Sequence, residues 1–308
     1  MSQSEVVIEV STKSIEEYHR MASLGDAEAM FELGIYYDEE GKDLAKAMEW
    51  FQRGAELGHA KSIHKLALIY HNGRDGVPQD IVKAMEWYKT AANLNYVPSI
   101  HNLGMIYETG EKVPKNIVKA MEFFNRCAEL GDPDCMRYLG YIYQIGYDEV
   151  VAKDLVKSMD WYHRAAKLDN ASAIRRIGFL YQKGIGVTQS FVKAMGWYHR
   201  AAKLGDSRSI RFIASNYEKG RGVASNQVKA MEWYHKAAEL GDNHSMYKLG
   251  IYYHEGIGVA IDVVKGLEWL NRAAKLDDKD AKKYLETKAT VIIRLSLDIF
   301  GICCYRYF

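Results

Sequence analysis

Apolar residues recur along this chain in steps of three and four, and the stretches that carry them are separated by short polar or glycine-containing breaks. In "SIHKLALIYHNG" the residues Ile63, Leu66, Ala67 and Tyr70 fall on one helical face. In "IVKAMEWYKTAANL" the residues Ala84, Trp87, Tyr88, Ala91 and Leu94 trace a second such stripe. The two patterns alternate. The second phrase ends at Gly58, Asn95, Gly131, Asp169, Gly205, Gly241 and Asp277, a spacing of 36 to 38 residues. A period of this length predicts stacked helix pairs, each a first helix, a loop such as "KGIGV" and a second helix.

The expected units are 27–59, 60–96, 97–132, 133–170, 171–206, 207–242 and 243–278. Residues 1–26 form an N-terminal segment in which 11–26 resemble the second helix of an incomplete leading unit. Residues 279–308 begin like an eighth first helix and end in an apolar tail, and both ends would act as caps. All six tryptophans stand at one position of the second phrase, where Phe123 takes the remaining copy. They are expected to fill gaps between neighbouring helices, beside alanines that let the helices approach. Glycines 73, 110, 146, 184, 220 and 256 follow the first helix, where a left-handed residue ends it cheaply.

A formal net charge of +1 over 308 residues argues against a general nucleic-acid binder or a polybasic membrane protein. That balance hides an asymmetry. Residues 1–59 hold thirteen Asp and Glu against five Lys and Arg, whereas 171–211 hold eight Lys and Arg against Asp206 alone. The start lacks the basic and apolar stretches of a secretory signal, so a cytoplasmic location is expected, or the host cytosol for a bacterial or viral source. Arg294 and Asp298 interrupt the apolar tail, so no membrane span is expected.

The unit "SMYKLGIYYHEGIGVAIDVVKGLEWLNRAAKL" resembles the Sel-1-like repeat, a relative of the tetratricopeptide repeat, in its L-G-x-x-Y, G-x-G-V, K-A and W-x-x-x-A-A elements. Ala67 and Ala214 replace the usual glycine, and the first, third and fourth units loosen the loop. The resemblance implies an all-α fold, a right-handed superhelical solenoid of antiparallel helix pairs with first helices lining a concave surface. It further implies a non-catalytic interaction scaffold or adaptor.

By analogy with tetratricopeptide folds, the fourth-position column of that surface reads Phe31, His64, His101, Arg137, Arg175, Arg211 and Tyr247. With Arg208, Lys183 and Lys219, and a floor of Tyr141 and Phe179, it predicts a basic groove for an acidic, phosphorylated or C-terminal peptide. A solvated charged face is the competing reading. Salt-sensitive self-association, acidic first fifth on basic middle, is a further possibility, and RNA binding through the basic stretch another.

No Walker loop, dinucleotide fingerprint, His-Glu-x-x-His or Gly-x-Ser-x-Gly occurs, so no catalytic residue, metal ligand or cofactor is assigned. His163, His199 and His235 recur one per unit and read as a solvated face. In the cysteine-rich branch of the family, cysteines spaced like Cys127 and Cys135 form a disulfide, and members have been associated with β-lactam binding or hydrolysis. That branch keeps an enzyme reading open. For this chain reduced thiols are expected, from the compartment.

Overall fold

The computed structural model describes residues 14–39, 42–74, 76–147 and 150–287. The described chain divides into two compact units, 1–153 and 154–308. The first holds α1 (Ile15–Ser23), α2 (Ala27–Glu39), α3 (Leu44–Glu56), α4 (Ala60–Asn72), α5 (Ile81–Asn93), α6 (Val97–Thr109), α7 (Ile117–Glu129) and α8 (Pro133–Ile145). The second holds α9 (Leu155–Lys167), α10 (Ala171–Lys183), α11 (Phe191–Lys203), α12 (Ser207–Lys219), α13 (Gln227–Glu239), α14 (Asn243–Glu255), α15 (Val263–Lys275) and α16 (279–287). The division falls inside the expected unit 133–170, between α8 and α9. The apolar tail and residues 1–13, including the start of the leading segment, lie outside the described residues.

Within each unit a first helix packs on the second helix of its own pair, and that second helix packs on the next first helix. This is the stacking of a helical solenoid. Most helices are capped by side chains suited to their ends, although His59 and Tyr96 make no capping bond before α4 and α6. Asp43, Asp80, Asn116, Asp154, Ser190, Asn226 and Asp262 cap the second helices, each accepting a bond from the amide three residues on. The glycines after the first helices all adopt positive φ, as their spacing predicts. The second helices end on a positive-φ residue too, and where this is not glycine it is Asn95, Asp169 or Asp277.

On every second helix the residue after the tryptophan position is core. Phe51, Tyr88, Phe124, Tyr162, Tyr198 and Leu270 are fully buried, and Tyr234 nearly so. The L-G-x-x-Y glycine makes room for this side chain. A Cβ on Gly34 would lie 2.4 Å from Phe51, and one on Gly104 2.6 Å from Phe124. Buried Tyr hydroxyls find partners: Tyr198 Oη donates to Gln182 Oε1 at 3.0 Å and Tyr234 Oη to Glu218 Oε2 at 2.9 Å.

The tryptophans lie at the margin of the core, where Trp50, Trp87, Trp233 and Trp269 pack against its buried clusters. All six are half-buried, and three of them meet a histidine of the preceding second helix. His163 packs edge-on to Trp197 with ring centroids 5.3 Å apart, His199 to Trp233 at 5.2 Å and His235 to Trp269 at 5.5 Å. In the first unit His19 of α1 meets Trp50 in the same way at 5.4 Å. On five of the six, Arg or Lys three residues on covers the ring, as Arg53 does Trp50 at 4.3 Å and Arg272 does Trp269 at 4.2 Å. These histidines are therefore half-buried packing groups, which corrects their reading as a solvated face. Burial lowers the pKa of His199 and His235 and keeps the rings neutral.

This arrangement orders two neighbouring aromatics by cost. Tyr198→Ala is expected to lose about 3–5 kcal/mol, the range for a buried aromatic, and Trp197→Ala visibly less, in urea denaturation of the full chain. Equal losses would contradict the assignment of core and joint.

Candidate functional site

The expected groove residues are brought onto the first helices, but most of them are already engaged. Arg175 on α10 sends Nε to Asp206 Oδ2 at 3.2 Å, and Arg211 on α12 sends Nε to Asp242 Oδ2 at 3.1 Å. Asp206 and Asp242 are the N-caps of α12 and α14, and their Oδ1 atoms accept from the amides of Ser209 and Ser245. One carboxylate thus ends its own helix and anchors the arginine of the preceding pair. Arg175 and Asp206 are both largely buried, with 15% and 12% of their side chains exposed.

The same joint is built from other chemistries elsewhere in the column. In the first unit Phe31 meets the N-cap His59 with ring centroids 5.4 Å apart, and His64 meets the N-cap Tyr96 at 5.2 Å. His101 feels the charge of the N-cap Asp132, while Tyr247 in the second unit feels that of Asp278. Ring faces ring, and cation faces carboxylate. Asp206 and Asp242 were not singled out from the sequence, although each follows its arginine by 31 residues and begins a first helix.

A second strut runs between second helices. Arg126 donates to the carbonyl of Ala92 at 2.5 Å and to Asn95 Oδ1 at 2.9 Å. Arg200 does the same to the carbonyl of Ala166 and to Asp169 Oδ1 at 2.9 Å. These arginines satisfy last-turn carbonyls of the preceding helix.

The remaining candidates divide between the units. Arg137 and Tyr141 lie on α8 in the first. Arg137 pairs with Asp134 of its own helix at 3.1 Å and covers Tyr138 at 4.1 Å. In the second unit Arg208, Lys183 and Lys219 are exposed, and Lys183 lies 5.9 Å from the half-buried Phe179 ring. Burial, together with the charges of Arg176 and Arg208, lowers the Arg175 pKa against the opposing pull of Asp206. Arg175 thus feels Arg176 and Arg208 as well as its partner Asp206.

The expectation of free thiols is overturned: Cys127 and Cys135 are joined as a disulfide, with Cα atoms 5.9 Å apart. The register of α7 on α8 buries both side chains completely and turns them toward one another. Their sulfurs are thereby withdrawn from nucleophilic chemistry and from metal ligation with the neighbouring Asp132.

Comparison with known families places these joints in a wider set. A Sel1 repeat profile matches residues 27–59, 60–96, 97–132, 133–170, 171–206, 207–242 and 243–278. The chain belongs to the Sel1 repeat family. Sel1 repeat proteins are typically interaction scaffolds and generally non-catalytic.

Among solved structures, a protective antigen present in uropathogenic Escherichia coli strains and displaying an SLR fold is 32% identical, with a TM-score of 0.74. The match covers 89% of this chain and 58% of that protein, so this chain spans little more than half its length. A Sel1 repeat protein from Oxalobacter formigenes is 30% identical with a TM-score of 0.68, over 85% of this chain and all of its own. Yeast Tom70, at 14% identity and a TM-score of 0.55 over 92% of this chain and 59% of its own, shares the fold alone. Comparison with curated protein sequences gave no match. Among the described residues no helix is long and apolar enough to cross a membrane.

Two outcomes follow for the Sel1 joints. Arg175→Ala and Arg211→Ala are each expected to cost about 1.5–3 kcal/mol, the range for a hydrogen bond to a charged group, while Arg208→Ala stays within about 0.5 kcal/mol. Chemical denaturation measures the three. His64, packed between Tyr88 and Tyr96 and bonded to Ser99 Oγ at 2.8 Å, has its pKa pushed down to about 4 by burial. The folded state holds it neutral, so its contribution is complete above an unfolded pKa of about 6.5 and is lost as pH falls toward 4. Between pH 7 and 5 the wild type should lose more stability than His64→Gln, and equal losses would refute this role.

Proposed function

We propose that this Sel1 repeat protein is a non-catalytic scaffold that binds an acidic or phosphorylated peptide segment on the first-helix face of its second unit. Arg208, Lys183 and Lys219 make the ionic contacts, and Phe179 supplies apolar floor. Arg175 and Arg211 contribute from behind, held in place by Asp206 and Asp242.

One observation carries this reading. Asp206 is the single acid of residues 171–211, and it faces Arg175 in a neighbourhood that also feels Arg176 and Arg208. Positive charge gathered on one face and left in excess attracts carboxylates and phosphates, which guanidinium groups grip through paired hydrogen bonds. The family's scaffold role supplies the rest.

The test must avoid the joints. Charge reversal at Arg175 or Arg211 would break an inter-repeat strut, whereas Arg208→Glu with Lys219→Glu changes two exposed side chains. A fluorescein-labelled peptide of glutamate and phosphoserine, titrated by anisotropy, should bind the wild type in a salt-sensitive manner and the double variant about tenfold more weakly, a difference of about 1.4 kcal/mol. Equal affinity for both proteins would remove the first-helix face as the site.

A further inference from the structure

The joint between α3 and α5 lacks what the repeat supplies elsewhere. In the second unit His163, His199 and His235 each set a ring edge-on against the tryptophan of the next second helix. On α3 the residue of that column is Gln52, which donates instead to Glu56 Oε1 at 3.4 Å. Five of the six tryptophans are covered by Arg or Lys three residues on, but after Trp87 the residue there is Thr90. Its hydroxyl donates to the carbonyl of Glu86 at 3.0 Å. Among the described residues Trp87 therefore stands half-buried with neither a paired ring nor a covering cation.

The same joint is open. A groove of about 590 Å³ lies between α3 and α4, lined by Ala45, Met48, Gln52, Leu66 and Tyr70. Ala45 takes a place that Val82, Val118, Val156, Val192, Val228 and Val264 fill on the other second helices. Met48 and Trp87 pack on one buried cluster, which includes Leu66. Gln52 stands in the register from which His163 reaches Trp197 at 5.3 Å, so the groove and Trp87 are within one side chain of each other. Two charged residues also line it, Glu49 and Arg53. Arg53 is drawn over Trp50 at 4.3 Å, whereas Glu49 forms no ion pair among the described residues. Glu86, beside Trp87 in sequence, is exposed and forms none either. The lysines that feel these two acids are already engaged, Lys46 by Asp43 at 3.1 Å and Lys83 by the Tyr70 ring at 4.2 Å.

We propose that this groove binds a peptide that carries an aromatic side chain next to an arginine or lysine. The ring lies on Met48 and Leu66 beside Gln52 and gives Trp87 the aromatic contact that histidine gives elsewhere. The cation takes the place left by Thr90, over the Trp87 ring, with Glu49 and Glu86 as its counter-charges. The repeat itself defines the occupant, because its own joints fill the equivalent place with a ring and a cation. Charge decides in the same direction: the cations around the groove are engaged and the acids are not. The groove belongs to the first unit and shares no residue with the face proposed above, and it takes a ligand of the opposite charge.

Restoring the joint tests it. Gln52→His with Thr90→Arg in the full chain rebuilds the ring and the cation, so the melting temperature should hold or rise while binding is lost. The probe is a fluorescein-labelled octapeptide of alternating tyrosine and arginine, titrated by anisotropy, with glutamate in place of arginine as the control. Affinity should fall about tenfold or more in Gln52→His/Thr90→Arg and in Glu49→Gln/Glu86→Gln. It should be unchanged in Arg208→Glu/Lys219→Glu. On titration the indole N–H resonance of Trp87, assigned with Trp87→Phe, should shift more than those of the other tryptophans. Absence of saturable binding to the wild type, undiminished affinity in the rebuilt variant or equal affinity for the glutamate control would each overturn the inference. A wild-type dimer that the rebuilt variant abolishes in light scattering would give the groove to a second copy of the chain and overturn it too.

Discussion

A stack of helix pairs has no central core, so the contact between one pair and the next must be made afresh at every repeat. In this chain that contact is made by side chains that reach across the repeat boundary. Arg175 and Arg211 grip the N-caps of the next first helices. Arg126 and Arg200 grip the last turns of the preceding second helices. Histidine and tryptophan interlock between second helices. Each strut uses a helix end or an aromatic ring that the repeat has to provide anyway, so the joint recurs with the period of the sequence.

Because the joints draw on cations, Arg126, Arg175, Arg200 and Arg211 are internal structure before they are surface. The distinction decides what is left for recognition. Arg175 is held by a largely buried carboxylate, whereas Arg208, Lys183 and Lys219 are exposed.

The period, the helix pairs and the glycine stops were legible in the sequence, since each rests on local rules: apolar spacing, the need for positive φ after a helix, and the small residue opposite a large one. Side-chain partnerships were less legible. Tryptophan reads as core from its size, yet it packs half-buried at the margin while the next residue, Tyr88 or Tyr198, fills the centre, because a rotation of about 100° per residue carries the two side chains to different faces. The groove arginines read as free prongs because their acceptors lie 31 residues away in the next repeat. The bond between Cys127 and Cys135 is illegible for a related reason: it depends on how α7 and α8 face one another, which a spacing of eight residues does not specify.

The most direct measurement is a double-mutant cycle on Arg211 and Asp242, with Arg211→Met and Asp242→Asn, the latter retaining a side-chain acceptor for the helix cap. If the arginine is a strut between repeats, the two substitutions should couple by about 1 kcal/mol or more in urea unfolding. Strict additivity would mean that Arg211 only decorates the surface, and the account of the repeat joint would be wrong.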